Sequence, residues 1–526
     1  MSSDSRPIYD RLRSVHQGEI DALCSSKAYA SSAKGQIKRY LEYILNGWQN
    51  IFKATIHGEM NAFDILTYIF FNIISEFALG LLLLWCLFAN FPVLEAFYVR
   101  WSSLHAAGLS IVNSAYPRLF KSLTDEEVDA AKEALSRPWD KSLSSEFVRV
   151  FDLDLAKALL LLAAVMYEPN TIQFRTALQN LNAANKTTNQ KAQDDAATGV
   201  NKAVQSRADV ISAFCATLGI ESALVSELNS FSTACASVFW DNDSNWIVVA
   251  FRGTTPTEYE EWVDDLKFTQ VPAGPWLPDF GKVHGGFKNR IFPDSVDNKE
   301  GNQPYQSIAS AVQALSQHLL QGKPSGTEIN VWFTGHSLGC AMASLAYSRA
   351  IIAPEELGPS VRVRDAYLFA APVVCDVISF QAFNHAIKST EDRGRTMWRV
   401  TNDGDAVATL LPDLGDRKGL KLSSNNVWAF AHLGAELKME DHPTPCKISG
   451  RALHHRTQVK VSSLFSEGQL DLMRQTAKAQ GAGLKNWERA ALKIPFIGRL
   501  VAHGTVYYWD QLSRVGTGEC YWITTN

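Results

Sequence analysis

Apolar residues along this chain are arranged in three ways, and each predicts a different element. From Gln36, the residues Ile37, Leu41, Ile44, Leu45, Trp48, Ile51 and Phe52 recur at helical spacing with Lys38, Arg39, Glu42 and Gln49 between them, which predicts an amphipathic helix over 36–56. Such a helix either lies on a core or rests in a membrane interface. Between Asp64 and Glu95 the only charged residue is Glu76, and 77–91 carries none, so 65–91 predicts a hydrophobic segment long enough to cross a bilayer. Over 73–91, eleven Leu, Ile and Phe residues, each favouring insertion by roughly 0.3–0.6 kcal/mol, outweigh one off-centre charge costing about 3 kcal/mol at most. The nearly continuous Leu/Ala run from Leu155 to Tyr167 is too short to span and predicts a buried helix.

Beyond it the pattern changes to short β-favouring runs. Ala234 to Trp240 and Trp246 to Phe251, joined by Asp241-Asn242-Asp243-Ser244-Asn245, predict a hairpin. Further strands are predicted at Ile329 to Phe333, Asp365 to Ala371 and Met397 to Thr401, and a helix at Tyr305 to Leu320, with Ile308, Val312, Leu315 and Leu319 on one face. Strands alternating with helices predict an α/β fold with a mostly parallel central sheet and a site at the strand C-termini. Thr124-Asp125-Glu126-Glu127 predicts a capped helix start, running to about Leu135 before Pro138, which places a boundary near 140: an N-terminal helical region over 1–140 and an α/β domain over 141–526. The polar stretch 179–207 is expected to be an exposed, mobile insertion.

A net charge of −4 gives no reason to expect the basic face that nucleic-acid binding normally needs, so no nucleic acid is expected as a partner. Met1 to about Lys34 lacks the basic start and immediate apolar run of a cleavable signal peptide, which points to an intracellular, membrane-associated protein. Lys53 and Arg100, near the two ends of the apolar segment, balance one another and assign no orientation. The eight cysteines, at 24, 86, 215, 235, 340, 375, 446 and 520, form no C-x-x-C pair and no zinc spacing; they are expected to be mostly buried or free thiols in a reduced compartment, with no metal and no cofactor.

Chemistry concentrates at Thr334-Gly335-His336-Ser337-Leu338-Gly339-Cys340, between a β-favouring run and the small, helix-forming residues Ala341 to Tyr347. A serine on a sharp strand-to-helix turn needs small residues two before and two after it, and Gly335 and Gly339 supply them. The turn would lift the Ser337 hydroxyl from the sheet and aim the Leu338 N–H at a developing oxyanion. A serine hydroxyl attacks only when a base takes its proton, and the base needs a carboxylate to hold its tautomer.

Several ordered motifs together resemble the fungal class 3 lipases, triacylglycerol lipase-like α/β-hydrolases, over about 155–512: Phe251-Arg252-Gly253-Thr254, Trp262-Val263-Asp264-Asp265-Leu266, Val283-His284-Gly285-Gly286-Phe287, the Gly335 to Gly339 turn, and Arg399-Val400-Thr401-Asn402 with Asp405-Ala406-Val407 before Pro412. The resemblance implies Ser337 as nucleophile, Asp405 as acid and His503, in a late histidine-plus-aromatics segment, as base. It implies Thr254 and the Leu338 N–H as oxyanion donors. On spacing alone Asp403 and Asp413 rival Asp405, and His432, His442, His454 and His455 rival His503. The stretch 256–267 is implied to be a lid with Tyr259, Trp262, Val263 and Leu266 on its apolar face and acidic residues opposite. Cys340, and 370–375 without a glycine, depart from the family pattern and bear on the shape of an acyl pocket.

The expected function is therefore a serine carboxylester hydrolase acting on acylglycerol-type lipid esters at a membrane. Alternatives are a phospholipase, an esterase of soluble aryl or feruloyl-type esters, and a catalytically silent lipase-like membrane scaffold.

Overall fold

The computed structural model describes residues 7–25, 33–56, 61–89, 91, 93–94, 97, 119, 123–137, 148–168, 171–228, 234–254, 263, 269–293, 303–389, 395–402, 404–409, 426, 429–439, 447–449, 457–480, 484–495 and 497–522. Its strands are β1 (Val148–Asp152), β2 (Glu221–Ser226), β3 (Ala236–Trp240), β4 (Trp246–Phe251), β5 (Gln270–Pro272), β6 (Lys282–His284), β7 (Ile329–His336), β8 (Val361–Phe369), β9 (Cys375–Asp376), β10 (Met397–Asn402), β11 (Phe430–Ala431), β12 (Ala435–Met439), β13 (Lys447–Ser449), β14 (Gln458–Ser462), β15 (Gly518–Glu519) and β16 (Tyr521–Trp522).

Nine of these form the central sheet, in the order β16-β13-β12-β10-β8-β7-β4-β3-β2. Its middle is parallel: β4 pairs with β7, β7 with β8, β8 with β10 and β10 with β12, while β2, β3 and β4 follow one another as antiparallel hairpins. Every residue of β7 is buried, as expected of a strand covered on both faces. Among its covers are the helix Leu338–Ile352 and the helix Leu153–Val165, whose Leu159 carbonyl accepts a hydrogen bond from Thr334 Oγ1 at 3.2 Å. A small sheet, β11-β9-β6-β5, flanks the C-terminal side of β8.

The predicted hairpin, elbow strand and short strands all form, and the buried Leu/Ala run is the helix Leu153–Val165, opened by Asp152, whose side chain caps the N–H groups of Asp154 and Leu155. The Thr124 capping box opens the helix Asp125–Ser136. Two expectations are corrected. The stretch 179–207 is not a mobile insertion: it belongs to the helices Thr171–Ala184 and Gln190–Thr217, which pack on each other and bury Val200, Ala203, Val204 and Arg207. Its apolar stripe is narrow and interrupted by polar residues, so composition hid the period.

The boundary near 140 does not separate two cores. Ala134 and Leu135 belong to the same buried cluster as β4 and β7. Asn330 Nδ2 and Trp332 Nε1, on the elbow strand, donate to the Leu135 carbonyl at 3.2 and 3.1 Å, satisfying the end of the helix Asp125–Ser136. The helix Ile8–Ser25 docks on the β2 edge through a buried set of charges: His16 Nε2 lies 3.0 Å from Glu227 Oε1, Arg207 3.0 Å from Glu227 Oε2, and the Glu227 N–H donates to Glu19 at 2.7 Å. Burial pushes the Glu227 carboxyl up, but the Arg207 guanidinium and His16 outweigh this and hold it at about 2.

The helices Ala33–Ile56 and Ala62–Ala89 pack side by side with a polar seam between them: Tyr40 donates to the Glu76 carbonyl at 3.1 Å and Tyr43 to Ser75 Oγ at 2.8 Å. Many of their large apolar residues face outward, while Ile51, Phe71, Leu79 and Leu83 are buried. Leu41, Leu45, Phe52, Phe77 and Leu84 are each more than half exposed, while Gln36, Asp64, Asn72 and Ser75 are buried. The span 62–88 is one helix long and apolar enough to cross a membrane.

Candidate active site

Ser337 sits between β7 and the helix Leu338–Ile352 at φ 58, ψ −130, a positive φ that a non-glycine residue holds only against strain of about 1–3 kcal/mol. The turn closes tightly because two side chains are missing. A Cβ on Gly335 would lie 2.6 Å from the Gly339 carbonyl carbon, and one on Gly339 would lie 2.2 Å from the Phe251 carbonyl oxygen. The second contact joins the elbow to the end of β4, whose Phe251 pairs in register with Gly335. Thr254, three residues further on and 6% exposed, therefore emerges beside the elbow. The Leu338 N–H opens the following helix, where intrahelical acceptors are absent.

Chain segments far apart in sequence meet at Ser337. His503 Nε2 lies 2.9 Å from Ser337 Oγ, and His503 Nδ1 lies 3.0 and 3.2 Å from the two carboxylate oxygens of Asp405. Asp405 follows β10, and its Oδ1 accepts the N–H groups of Val407 and Ala408 at 2.7 and 3.1 Å. Burial pushes the Asp405 carboxyl up; the His503 charge and the hydrogen bonds from His503, Tyr508 and Ala408 outweigh that and hold it below its ordinary value. The site can thus relay a serine proton to an imidazole whose tautomer a carboxylate holds. Asp403, Asp413, His442, His454 and His455 lie outside the described residues. His432 is buried just after β11, and the histidine bonded to Ser337 is His503.

Two supporting residues have no role assigned from the sequence. Tyr508, on the helix Thr505–Leu512, donates to Asp405 Oδ2 at 2.7 Å and accepts the Asn402 N–H at 3.2 Å. Burial first, and the Asp405 charge second, raise its phenol well above its ordinary value, so it stays a donor. The aromatic pair after His503 hinted at it; nothing linked it to the acid. Tyr167 OH lies 3.0 Å from His336 Nδ1, and His336 Nε2 lies 2.8 Å from the His503 carbonyl, so the histidine beside the nucleophile props the backbone of the one opposite. Burial, then the neighbouring His503, push His336 down to about 3, which leaves it neutral.

Cys340 is fully buried, its thiol 3.1 and 3.0 Å from the Gly335 and Phe369 carbonyls and pushed well up by burial, so it packs the elbow and is no nucleophile. Cys24, Cys215, Cys235 and Cys340 are free thiols. Of the lid positions, Tyr259, Trp262 and Leu266 lie outside the described residues; Val263 is helical and 1% exposed, packed with Leu79, Leu83 and Cys86. Among the described residues no cluster of His, Cys, Asp and Glu is arranged to hold a metal.

Residues 248–414 match the family model of the class 3 lipases. The chain carries a class 3 lipase domain. The matched stretch holds Thr254, Ser337 and Asp405; His503 follows it. This chain is similar to phospholipase A1-Igamma1, chloroplastic, of Arabidopsis thaliana, at 26% identity over 41% of this chain and 46% of that one. It is similar to the galactolipase DONGLE, chloroplastic, of the same plant, at 31% over 37% and 41%, and to its triacylglycerol lipase OBL1, at 28% over 26% and 29%. The chain spans about half the length of the curated relatives it matches. Among solved structures, a fungal lipase–inhibitor complex matches at 24% identity and TM-score 0.30, covering 43% of this chain and 68% of that one. The native Rhizomucor miehei lipase–propeptide complex matches at 19% and TM-score 0.30, covering 60% and 81%.

Proposed function

We propose that this protein is a membrane-associated serine carboxylester hydrolase that cleaves acylglycerol-type lipid esters. The observation that carries the reading is the unbroken line Ser337 Oγ, His503, Asp405 at hydrogen-bond distances on a strained elbow. Ser337 attacks the ester carbonyl as His503 takes its proton; the negative charge that develops on oxygen meets the Leu338 N–H and Thr254. His503 then protonates the leaving alcohol, and a water activated by the same histidine releases the acyl group. No cofactor enters these steps.

The class 3 lipase domain supports lipid esters as the substrate class. The outward-facing apolar surface of the helix Ala62–Ala89 supports attachment to a membrane through 65–91. Relatives named as phospholipase A1 and galactolipase favour a second reading, glycerolipids with a polar head group.

Fluorophosphonate labelling tests the chemistry. The full chain is expected to label, and Ser337→Ala to lose the label; equal labelling of both would sink the enzyme reading in favour of a silent scaffold. A panel of tri-, di- and monoacylglycerol, phospholipid, galactolipid and a short aryl ester then separates the substrate readings.

A further inference from the structure

The helix Ala62–Ala89 is long and apolar enough to cross a bilayer, yet the chain on either side of it is tied to the same central sheet. Before it, the helix Ile8–Ser25 docks on the β2 edge, where His16 and Glu19 meet Glu227. After it, the helix Asp125–Ser136 ends on β7, whose Asn330 and Trp332 donate to the Leu135 carbonyl. A chain that starts and finishes on one side of a membrane crosses it an even number of times or not at all. Among the described residues, Ala62–Phe88 is the one helix with the length and apolarity of a span. Its neighbour Ala33–Ile56 carries Lys34, Lys38, Arg39, Glu42 and Lys53, a set of charges that hydrocarbon excludes.

The flanks of Ala62–Ala89 point the same way. Asn426 Nδ2 donates to Asp64 Oδ1 at 2.6 Å and to Thr67 Oγ1 at 3.1 Å, Phe71 packs with Val373 and Phe430, and Leu79 and Leu83 pack with Val263. Asp64 and Leu83 are about 28 Å apart along the helix axis, close to the roughly 30 Å of a bilayer's hydrocarbon core. A crossing helix would carry this side of the lipase domain into hydrocarbon, including Asn426 and β11, which lies at the edge of its sheet. Glu76 falls at the middle of Ala62–Phe88, the costliest depth for a charge in a span. The opposite face is open from end to end: Phe63, Leu66, Phe70, Phe77, Leu84 and Phe88, at helical spacing, are each more than half exposed, a stripe about 38 Å long. The neighbouring helix adds exposed Leu41, Leu45 and Phe52, bordered by the exposed pair Lys38 and Glu42. An apolar stripe edged by charge suits a helix that lies in an interface.

We propose that Ala33–Ile56 and Ala62–Ala89 form a monotopic platform that lies in the plane of one leaflet, its outer stripes sunk about 5–10 Å into it, and does not cross. This rests on the membrane-attachment reading above. The lipase domain stays on one side of the membrane, and its lipid esters come from the leaflet that holds the platform.

The test measures binding of the full chain to phosphatidylcholine vesicles and to hexadecane droplets coated with a monolayer of the same lipid. A platform needs one leaflet, so the two affinities are expected to agree within about threefold, whereas a span has no second leaflet to enter on a droplet. Lysine is then placed along the stripe in Phe63→Lys, Phe70→Lys, Phe77→Lys and Phe88→Lys. In-plane seating gives every position the same depth, so each variant is expected to weaken vesicle binding by a similar factor, about tenfold. In a span the loss peaks at Phe77 and fades toward Phe63 and Phe88, where lysine reaches the interface. A near-UV circular dichroism spectrum like that of wild type shows that a variant is folded, and serine replaces lysine at any position where it is not. A loss peaked at Phe77, no loss at any position, or binding to vesicles without binding to droplets overturns the platform and leaves membrane attachment standing. A wild type that binds neither surface overturns the attachment reading and the platform with it, and a dimer that Phe77→Lys dissociates would then show a second copy covering the stripe.

Discussion

The described helices Leu153–Val165 and Ala62–Ala89 are both largely apolar, and the molecule treats them in opposite ways. Leu153–Val165 lies inside the α/β core, with Leu159, Leu160, Ala163 and Val165 at 0% exposure, and its one long charged side chain, Lys157, reaches out to Glu127 at 3.3 Å. Ala62–Ala89 turns its few polar groups inward, Asp64 at 1% and Ser75 at 3%, and leaves Phe77 at 68% and Leu84 at 64% exposed. Nine large apolar side chains on this second helix are about half exposed or more. Burying such a side chain is worth about 1.5–3 kcal/mol, so leaving nine in water would forgo on the order of 10 kcal/mol, as much as the net stability of a typical domain. An apolar run in a sequence says that the segment leaves water. Where its polar residues point says whether it leaves for protein or for lipid.

If the core holds the chemistry and the outward face of Ala62–Ala89 the location, the two can be broken apart. The largest effect belongs to the core: Asp405→Asn removes the carboxylate that orients His503, and kcat for a soluble aryl ester should fall on the order of 10⁴-fold with no change in vesicle co-sedimentation. The same variant should alter stability against pH. The folded-state value of Asp405 is lowered, so its ionised form contributes stability above the ordinary carboxylate range, and that contribution disappears as pH falls through the lowered value. Asp405→Asn should therefore lose stability at neutral pH and show a flatter acid limb in Tm-against-pH curves; an unchanged limb would mean that His503 and Asp405 do not pair in solution.

Equivalent truncations sharpen the contrast between the helices. Leu160→Ala should destabilise the protein by about 2–5 kcal/mol in chemical denaturation, whereas Leu84→Ala should stay within about 0.5 kcal/mol in the absence of lipid or detergent. Similar losses would show that the outer face is covered by protein. Charging that face should act on partition instead: Phe77→Lys should weaken vesicle binding by about 2.5–3.5 kcal/mol if position 77 sits near the bilayer centre, with aryl-ester turnover retained.

Much of the fold was legible because its signals are local. The strand, tight turn and helix around Ser337 lie in one contiguous stretch, and Gly335 and Gly339 are demanded by contacts within a few residues or with the adjacent strand. The capping box at Thr124 and the hairpin before Arg252 are equally local. The stretch 179–207 hides its helical period because its buried stripe of Val200, Ala203, Val204 and Arg207 includes a charge, and Arg207 is held there by Glu227 at β2's end and by the Phe174 ring. The docking of Ile8–Ser25 was invisible for the same reason: His16 and Glu19 read as surface residues until the partners of Glu227 are known.

By itself, the sequence determined what each segment can do alone: it places a strained nucleophile between strand and helix, and it marks a segment of the N-terminal region for exclusion from water. The tertiary structure decided which groups meet. Ser337 and His503 are 166 positions apart and His503 and Asp405 98, and Tyr508 reaches Asp405 across 103, distances at which no period or propensity carries information. It also decided that one apolar helix is a core and the other is turned inside out, because burial is a property of the surface a helix meets and not of the helix.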